Sequence, residues 1–342
     1  MAEIRVHCFT SASLAYADRA LVLARSLRRH HPDWVLWLCL VDLPPSDFSM
    51  HVIEGVFDHV VTAEALDIPH LRAWLFEHDV VEACTAVKGA MLQHILDQGV
   101  ERVLYLDPDI AVFAPLTEVA ERLDGSDLLL TPHLLVPEVT AAGVLDNEIG
   151  ALKHGIYNLG FIGVSGRTEG RRFARWWADR LYAHCIDDIA SGLFTDQRWC
   201  DHVPVFFPST CILRDPGCNV ASWNVEHRPL SIDRDGVIRA DGAPLRFFHF
   251  TKFADVGRLM LERHSVSNSV LDEIMAWYAN ALATSAPTGL PPGWWVYGRY
   301  ADGVPILRGD RLLWRKKASL HAAIPDPFAL TSRQFAEQVG ST

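Results

Sequence analysis

Apolar residues along this chain come in short unbroken runs separated by helical repeats. Ile4–Phe9 and Trp34–Val41 are two such runs, and between them Ala20, Leu23, Ala24 and Leu27 recur on one helix face within Tyr16–His31. Thr10-Ser11-Ala12-Ser13 reads as a polar turn after the first run. Pro32 ends the helix, because proline disfavours the helical state in the residue before it. Strand, helix, strand at this spacing predicts a right-handed parallel βαβ unit. A second helix is expected around Val87, Ala90, Met91 and Ile95, with Gly99 at its C-terminal cap. Asp127–Thr131, Asn158–Val164 and Leu245–Phe250 read as further strands, and Arg171–His184 as an Arg- and Trp-rich helix. The texture changes near Asp255, where a helix over Ser269–Ala283 leads into the loop signal Pro287–Gly293. The pattern is that of an α/β protein.

One run carries chemistry at its end. Val103-Leu104-Tyr105-Leu106 reads as a buried parallel strand that runs directly into Asp107-Pro108-Asp109, with Ile110 apolar again. Strand ends of this kind open onto the crevice where α/β sheets bind ligands. Two carboxylates there suit Mg²⁺ or Mn²⁺, which take a couple of protein oxygens and complete their shell with diphosphate oxygens and water. Taken alone, an Asp-x-Asp is more often a turn closing a strand, so the assignment depends on partners elsewhere.

Composition narrows the setting. The 342 residues are 49% hydrophobic and 21% charged, enough for one large domain with an appendage or for two domains. A net charge of −11 argues against a general nucleic-acid binder, although it leaves room for a local basic pocket. Seven scattered cysteines without a C-x-x-C pair favour a reducing compartment over a disulfide framework. The N-terminal residues show no signal-peptide core, and no apolar run is long enough to span a membrane. The expectation is a cytoplasmic protein.

Four more segments combine polar groups with strand or turn positions. In Ile156–Phe161, Asn158 and Gly160 stand where a strand begins, suited to gripping hydroxyls and to close backbone approach, or simply to a turn. In Phe194–Trp199, Thr195 reads as an N-cap with Asp196 in the first turn, which by itself would account for the acid. Asn219–Asn224 sets amides beside Trp223, a common way to hold sugars and equally a packed loop. In Phe247–Lys252, His249 and Lys252 leave an apolar strand together. They read as a third metal ligand and a diphosphate counter-charge, against the alternative of a hydrogen-bonded core histidine.

In this order, Tyr16 with Arg25-Ser26, Tyr105–Asp109, Asn158-Leu159-Gly160, Asp196-Gln197 and His249-Phe250-Thr251 resemble the GT-A glycosyltransferases. The likeness is greatest to the retaining, glycogenin-like and lipooligosaccharide-galactosyltransferase-like group and to bacterial polysaccharide-building relatives. It spans roughly residues 4–253. The resemblance implies a Rossmann-like GT-A fold with a mixed, mostly parallel sheet flanked by helices. It implies a catalytic domain over residues 1–255 and a helical or irregular C-terminal extension over 256–342. It implies Mn²⁺ or Mg²⁺ on Asp107, Asp109 and His249. Thr10, Ser11 and Tyr16 would line the base pocket, and Lys88 and Lys252 would face the diphosphate. Asp107, Asn158 and Gly160 would hold the donor, with Asp196 and Gln197 near the anomeric carbon. Trp223 and Asn224 join the donor-binding candidates from their own amide-and-aromatic pattern rather than from the resemblance. Two positions depart from the family pattern: the first loop is Thr10–Ser13 where acidic or amide residues are usual, and Lys252 stands in place of a glycine.

The activity implied is metal-dependent transfer from a nucleoside-diphosphate sugar, a UDP-sugar by resemblance, to a carbohydrate, lipid-linked or protein hydroxyl in bacterial polysaccharide or glycoconjugate synthesis. Imidazole beside carboxylates favours Mn²⁺ over Mg²⁺. Two alternatives stand beside it: a haloacid-dehalogenase-type phosphatase, whose Asp-x-Asp normally opens the domain, and a non-catalytic sugar-nucleotide-binding module. The basic segment Leu307–Lys317 is open to two readings. It could dock weakly on an anionic inner membrane face, or pack its apolar residues on the catalytic domain and solvate its charges, which is the preferred reading.

Overall fold

The computed structural model describes residues 5–254, 256–264 and 268–340. Ile4 and Asp255, named above as a strand start and a boundary, lie outside the described residues. Strand β1 (Val6–Ala12), helix α1 (Ala17–His30) and strand β2 (Val35–Leu40) form the expected parallel unit, extended at its edge by β3 (His59–Thr62). Helices α2 (Leu71–Phe76) and α3 (Val80–Asp97) lead to the central strand β4 (Arg102–Leu106) and the short β5 (Ile110–Val112). Then come β6 (Leu128–Pro132), β7 (Tyr157–Ser165), α4 (Thr168–His184), β8 (Thr210–Ile212), β9 (Val220–Ala221) and β10 (Phe247–His249). Helices α5 (Ser269–Ser285) and α6 (Arg308–Lys316) belong to the C-terminal part.

The main sheet has the order β8-β6-β7-β4-β1-β2-β3. Only β7 runs antiparallel to its neighbours, so the sheet is mixed and mostly parallel. A second small sheet, β9-β10-β5, carries the chain past the end of β4. The continuous apolar runs follow from burial on both faces. Along β4, Val103 and Tyr105 join the core beneath α3 and α4, while Leu104 and Leu106 join the core beneath α1.

Two local expectations fail. Thr10–Ala12 is not a turn, because β1 continues pairing with β2 as far as Ala12 against Leu40. A polar turn would have left these donors and acceptors unmatched in a buried sheet. Thr195 is not an N-cap: it adopts φ +43, and the short 3₁₀ turn Arg198–His202 that follows begins without a side-chain cap.

The C-terminal segment is built into the core beside α3. Trp314 is fully buried, stacks edge-on against Phe76 at 5.5 Å, and donates from Nε1 to Ala73 O at 3.0 Å. Arg311, also buried, donates to Phe76 O at 3.1 Å and to Tyr297 O at 2.7 Å, closing the C-terminal carbonyls of α2. Arg315 pairs with the buried Glu82, Arg308 donates to Asp187 O at 2.8 Å, and Lys317 donates to Val339 O. Arg311, Arg315 and Lys317 are therefore spent on internal partners, whereas Arg308 is half exposed and Lys316, Leu312 and Leu313 stay exposed. No described helix is long and apolar enough to cross a membrane.

Trp314→Ala should cost about 3–5 kcal/mol of stability, the usual range for removing a large buried aromatic. Chemical denaturation checks it; a loss below about 1 kcal/mol would detach this segment from the core.

Candidate active site

The end of β4 is pinned from both sides. Asp107 N donates to Gly160 O on β7 at 2.8 Å, and Phe250 N, just after β10, donates to Asp109 O at 2.8 Å. These bonds bring Asp107, Asp109 and His249 together, with one ligand atom of each lying within 4.8 Å of the others. His249 Nε2 is 3.1 Å from Asp109 Oδ1 and 3.7 Å from Asp107 Oδ2.

Asn158 sets the histidine. Its Oδ1 accepts from the Gly160 backbone N–H at 3.1 Å, which identifies that atom as the acceptor, and lies 3.1 Å from His249 Nδ1. His249 Nδ1 therefore carries a proton and donates it to Asn158. In a neutral ring Nε2 then turns a lone pair toward two carboxylates. That arrangement is comfortable only with an imidazolium or with a cation between the groups. Burial works against the imidazolium, but Asp109 and Asp107 outweigh it and raise the pKa above the ordinary histidine value. The donor set thus fits a divalent ion with one imidazole and two carboxylates.

Beside this triad lies a buried ammonium. Lys88, on α3 and 2% exposed, is 2.8 Å from Asp196 Oδ2, 3.1 Å from Asp107 Oδ1 and 3.2 Å from Leu159 O. Its three protons have three acceptors. Burial lowers its pKa, yet Asp107 and Asp196 more than reverse this and hold it well above the usual lysine value. Burial raises the Asp196 pKa, with Lys88 opposing. Gln197, next to Asp196, accepts from Leu159 N at 3.1 Å and Asn158 Nδ2 at 3.3 Å, and donates to His154 O at 2.9 Å. The reading of Asp196 as a helix-capping acid is replaced by an ion pair across the fold.

The remaining expected residues divide. Trp223 stands edge-on to His249 at 5.4 Å, and its Nε1 has no partner among the described residues. Ser11 reaches the site through the Tyr105 hydroxyl, 3.2 Å away. Tyr16 is 42% exposed under the Arg19 guanidinium; burial raises its pKa, with Asp109 adding to the effect. Thr10 is buried, and its hydroxyl has no partner among the described residues. Asn224 spends its amide on the loop: Oδ1 accepts from Ala221 N, and Nδ2 donates to Asn219 O and His133 O. Lys252 is exposed with φ +45, the left-handed conformation that explains why glycine suits this position. Its charge is felt at His154, whose pKa burial lowers first and Lys252 further.

Two contributors escaped the sequence. Tyr105 donates to Asp107 Oδ1 at 2.5 Å, and Lys88 Nζ sits 4.2 Å from the centre of its ring. The signal was present: Tyr105 and Asp107 are two residues apart on a strand and share a face. His133 lies 3.3 Å from Asn158 Nδ2 and edge-on to Trp223 at 5.3 Å, in a loop without readable periodicity.

The architecture and this strand-end site define the class of fold: it is that of the GT-A glycosyltransferases. The galactosyltransferase LgtC, solved in complex with donor and acceptor sugar analogues, superposes over 84% of this chain and 98% of its own, with a TM-score of 0.51 at 16% identity. In sequence the chain is similar to two uncharacterized proteins of Bacillus subtilis (strain 168). YfnF is 30% identical over 200 residues, covering 57% of this chain and 64% of YfnF, so slightly under two thirds of that relative is spanned. YfnD is 24% identical over 253 residues, 72% of this chain and 78% of YfnD. No protein-family model matches.

Gly160 leaves room for the histidine, since a Cβ there would lie 2.4 Å from His249 Cε1. Gly160→Ala should therefore destabilise by about 1–3 kcal/mol, the cost of overpacking. A glycine in an unconstrained strand would instead gain about 0.5–1 kcal/mol. Thermal unfolding distinguishes the signs.

Proposed function

We propose that this protein is a metal-dependent glycosyltransferase that moves a sugar from a nucleoside-diphosphate donor to an acceptor hydroxyl, with retention of anomeric configuration. The catalytic unit is residues 1–255, with 256–342 as its brace. The observation that carries the reading is the juxtaposition of Asp107, Asp109 and His249 with the Lys88–Asp196 pair at one strand end. The sequence resemblance and the GT-A fold support the substrate class, and the resemblance favours UDP and a bacterial polysaccharide or glycoconjugate role.

Asp107, Asp109 and His249 would hold the ion, Mn²⁺ in preference to Mg²⁺ because one donor is an imidazole. A bound divalent ion supplies charge stabilisation to the departing diphosphate. The chain's own groups supply the rest. Lys88 has its protons committed, so it keeps Asp107 and Asp196 in place rather than reaching out to phosphate. Lys252, exposed at the strand exit, would supply a cation to the diphosphate. Asp196 and Gln197 face the anomeric carbon, where a buried carboxylate stabilises developing oxocarbenium charge. Asn158, its amide committed to Gly160, His249, Gln197 and His133, and Gly160 shape the sugar subsite rather than grip the hydroxyls. Trp223 offers the sugar a ring face, and Thr10, Ser11 and Tyr16 receive the base. The acceptor oxygen bonds to the anomeric carbon as the bond to the diphosphate breaks, and the acceptor proton passes to the leaving phosphate oxygen. The GT-A architecture removes the dehalogenase-type alternative.

The direct test is release of nucleoside diphosphate from a panel of donor sugars, with and without chelator. Turnover should require Mn²⁺ or Mg²⁺, and Asp109→Ala should abolish it while leaving the melting temperature nearly unchanged. A folded protein that hydrolyses or transfers none of the donors would be a binding module instead. Asp196→Asn should lower kcat about 10²–10³-fold with nearly unchanged donor KM, as expected for a contact made in the transition state. An equal loss confined to KM would assign Asp196 to donor binding.

A further inference from the structure

The turn that follows Trp223 meets the loop between β6 and β7 at a second cluster of ligand-type side chains. His227 Nε2 lies 2.9 Å from Glu138 Oε2, and Glu226 brings a carboxylate to the same place, so that one ligand atom from each of the three lies within 4.8 Å of the others. The Glu138 side chain is 1% exposed. The backbone at Gly143 closes over it, since a Cβ there would lie 2.3 Å from Glu138 Oε2.

An independent feature points to a missing partner. Asn147, 5% exposed, presents its amide to Glu138, with Nδ2 2.7 Å from Oε1, and its Oδ1 has no hydrogen-bond partner among the described residues. A buried amide oxygen without a donor is costly unless something electropositive meets it. Two further carboxylates adjoin the cluster: Glu148 Oε1 accepts from Glu138 N at 2.7 Å, and Asp146 accepts from Arg263 at 2.8 Å. These carboxylates come from the two segments that meet here, with His227 bonded to Glu138 and Arg263 to Asp146.

We infer that Glu138, Glu226 and His227, with the Asn147 amide oxygen, form a second divalent-cation site that fastens the β6–β7 loop to the turn after Trp223. An imidazole among oxygens selects a transition ion such as Zn²⁺ or Mn²⁺ over Ca²⁺ or Mg²⁺. Ligands about 2.0–2.1 Å from a tetrahedral Zn²⁺ stand roughly 3.3 Å apart, so the 2.9 Å between His227 and Glu138 needs to open by only a few tenths of an ångström. The residues are separate from Asp107, Asp109 and His249, and the inference does not depend on sugar transfer.

The experiment is equilibrium dialysis of the full chain against low-micromolar Zn²⁺, with backbone amide exchange read over residues 138–148. Asp109→Ala serves as the background that removes the strand-end triad. The wild type should bind two ions, Asp109→Ala one, and Asp109→Ala with His227→Gln none. In Asp109→Ala, Zn²⁺ should slow exchange in the loop at least tenfold, and His227→Gln should remove that protection. His227 is partly exposed, so its variant is expected to fold; Glu138→Gln gives a second measurement of the same loss. Absence of Zn²⁺ binding in Asp109→Ala, binding indifferent to both substitutions, or binding without loop protection would each overturn the inference. Loss of the first ion alone would bear only on the transferase reading.

Discussion

An ammonium with almost no access to water is the constraint around which this site is organised. Burying a lysine charge costs several kcal/mol unless every proton finds a good acceptor. Lys88 meets that condition only when α3, the end of β4, the start of β7 and the turn at Asp196 are all in place. Withdrawing any one of them leaves a buried unpaired charge. The ion pairs therefore lock together segments 19 and 108 positions apart in sequence. The carboxylates that would face substrate are held before any substrate arrives.

A second layer of contacts fixes what Lys88 does not reach. Asn158 distributes one amide among Gly160, His249, Gln197 and His133, so the tautomer of the histidine and the placement of Gln197 have a common origin. Farther out, Glu82 caps α3 with Asp79, accepts from Asp187 N at 2.9 Å, and pairs with Arg315 of α6. Asp187 opens the hairpin that runs into Asp196. The C-terminal segment thereby bears on the site through a chain of polar contacts, although it supplies none of the facing side chains.

Much of the site was legible because strand geometry makes chemistry local. Asp107 and Asp109 close a run of apolar residues, and His249 and Lys252 leave another, so each pair announces itself without knowledge of the partner strand. Where the reading failed, a distant partner had won over local propensity. Thr195 and Asp196 look like a helix start, but Lys88 offers Asp196 an ion pair that a cap cannot match. The Asn224 amide, for its part, is engaged by Ala221 N, Asn219 O and His133 O, contacts that no local pattern announces. Arg311 and Arg315 of α6 look solvated, as Lys316 is, but the carbonyls of α2 and the buried Glu82 take them.

By itself the sequence determined the α/β alternation, the βαβ start, the strand that delivers two carboxylates, and the helix boundaries set by Pro32 and Gly99. These follow from periodicity and backbone sterics, which act over a few residues. Tertiary structure alone decided that β7 runs antiparallel beside β4, that Lys88 joins Asp107 to Asp196, and that His133 approaches Asn158. It also decided that the tail of the chain closes α2 and braces α3. Each of these depends on which surfaces meet after the chain has folded back on itself, and the free energy of such a meeting belongs to the pair rather than to either segment.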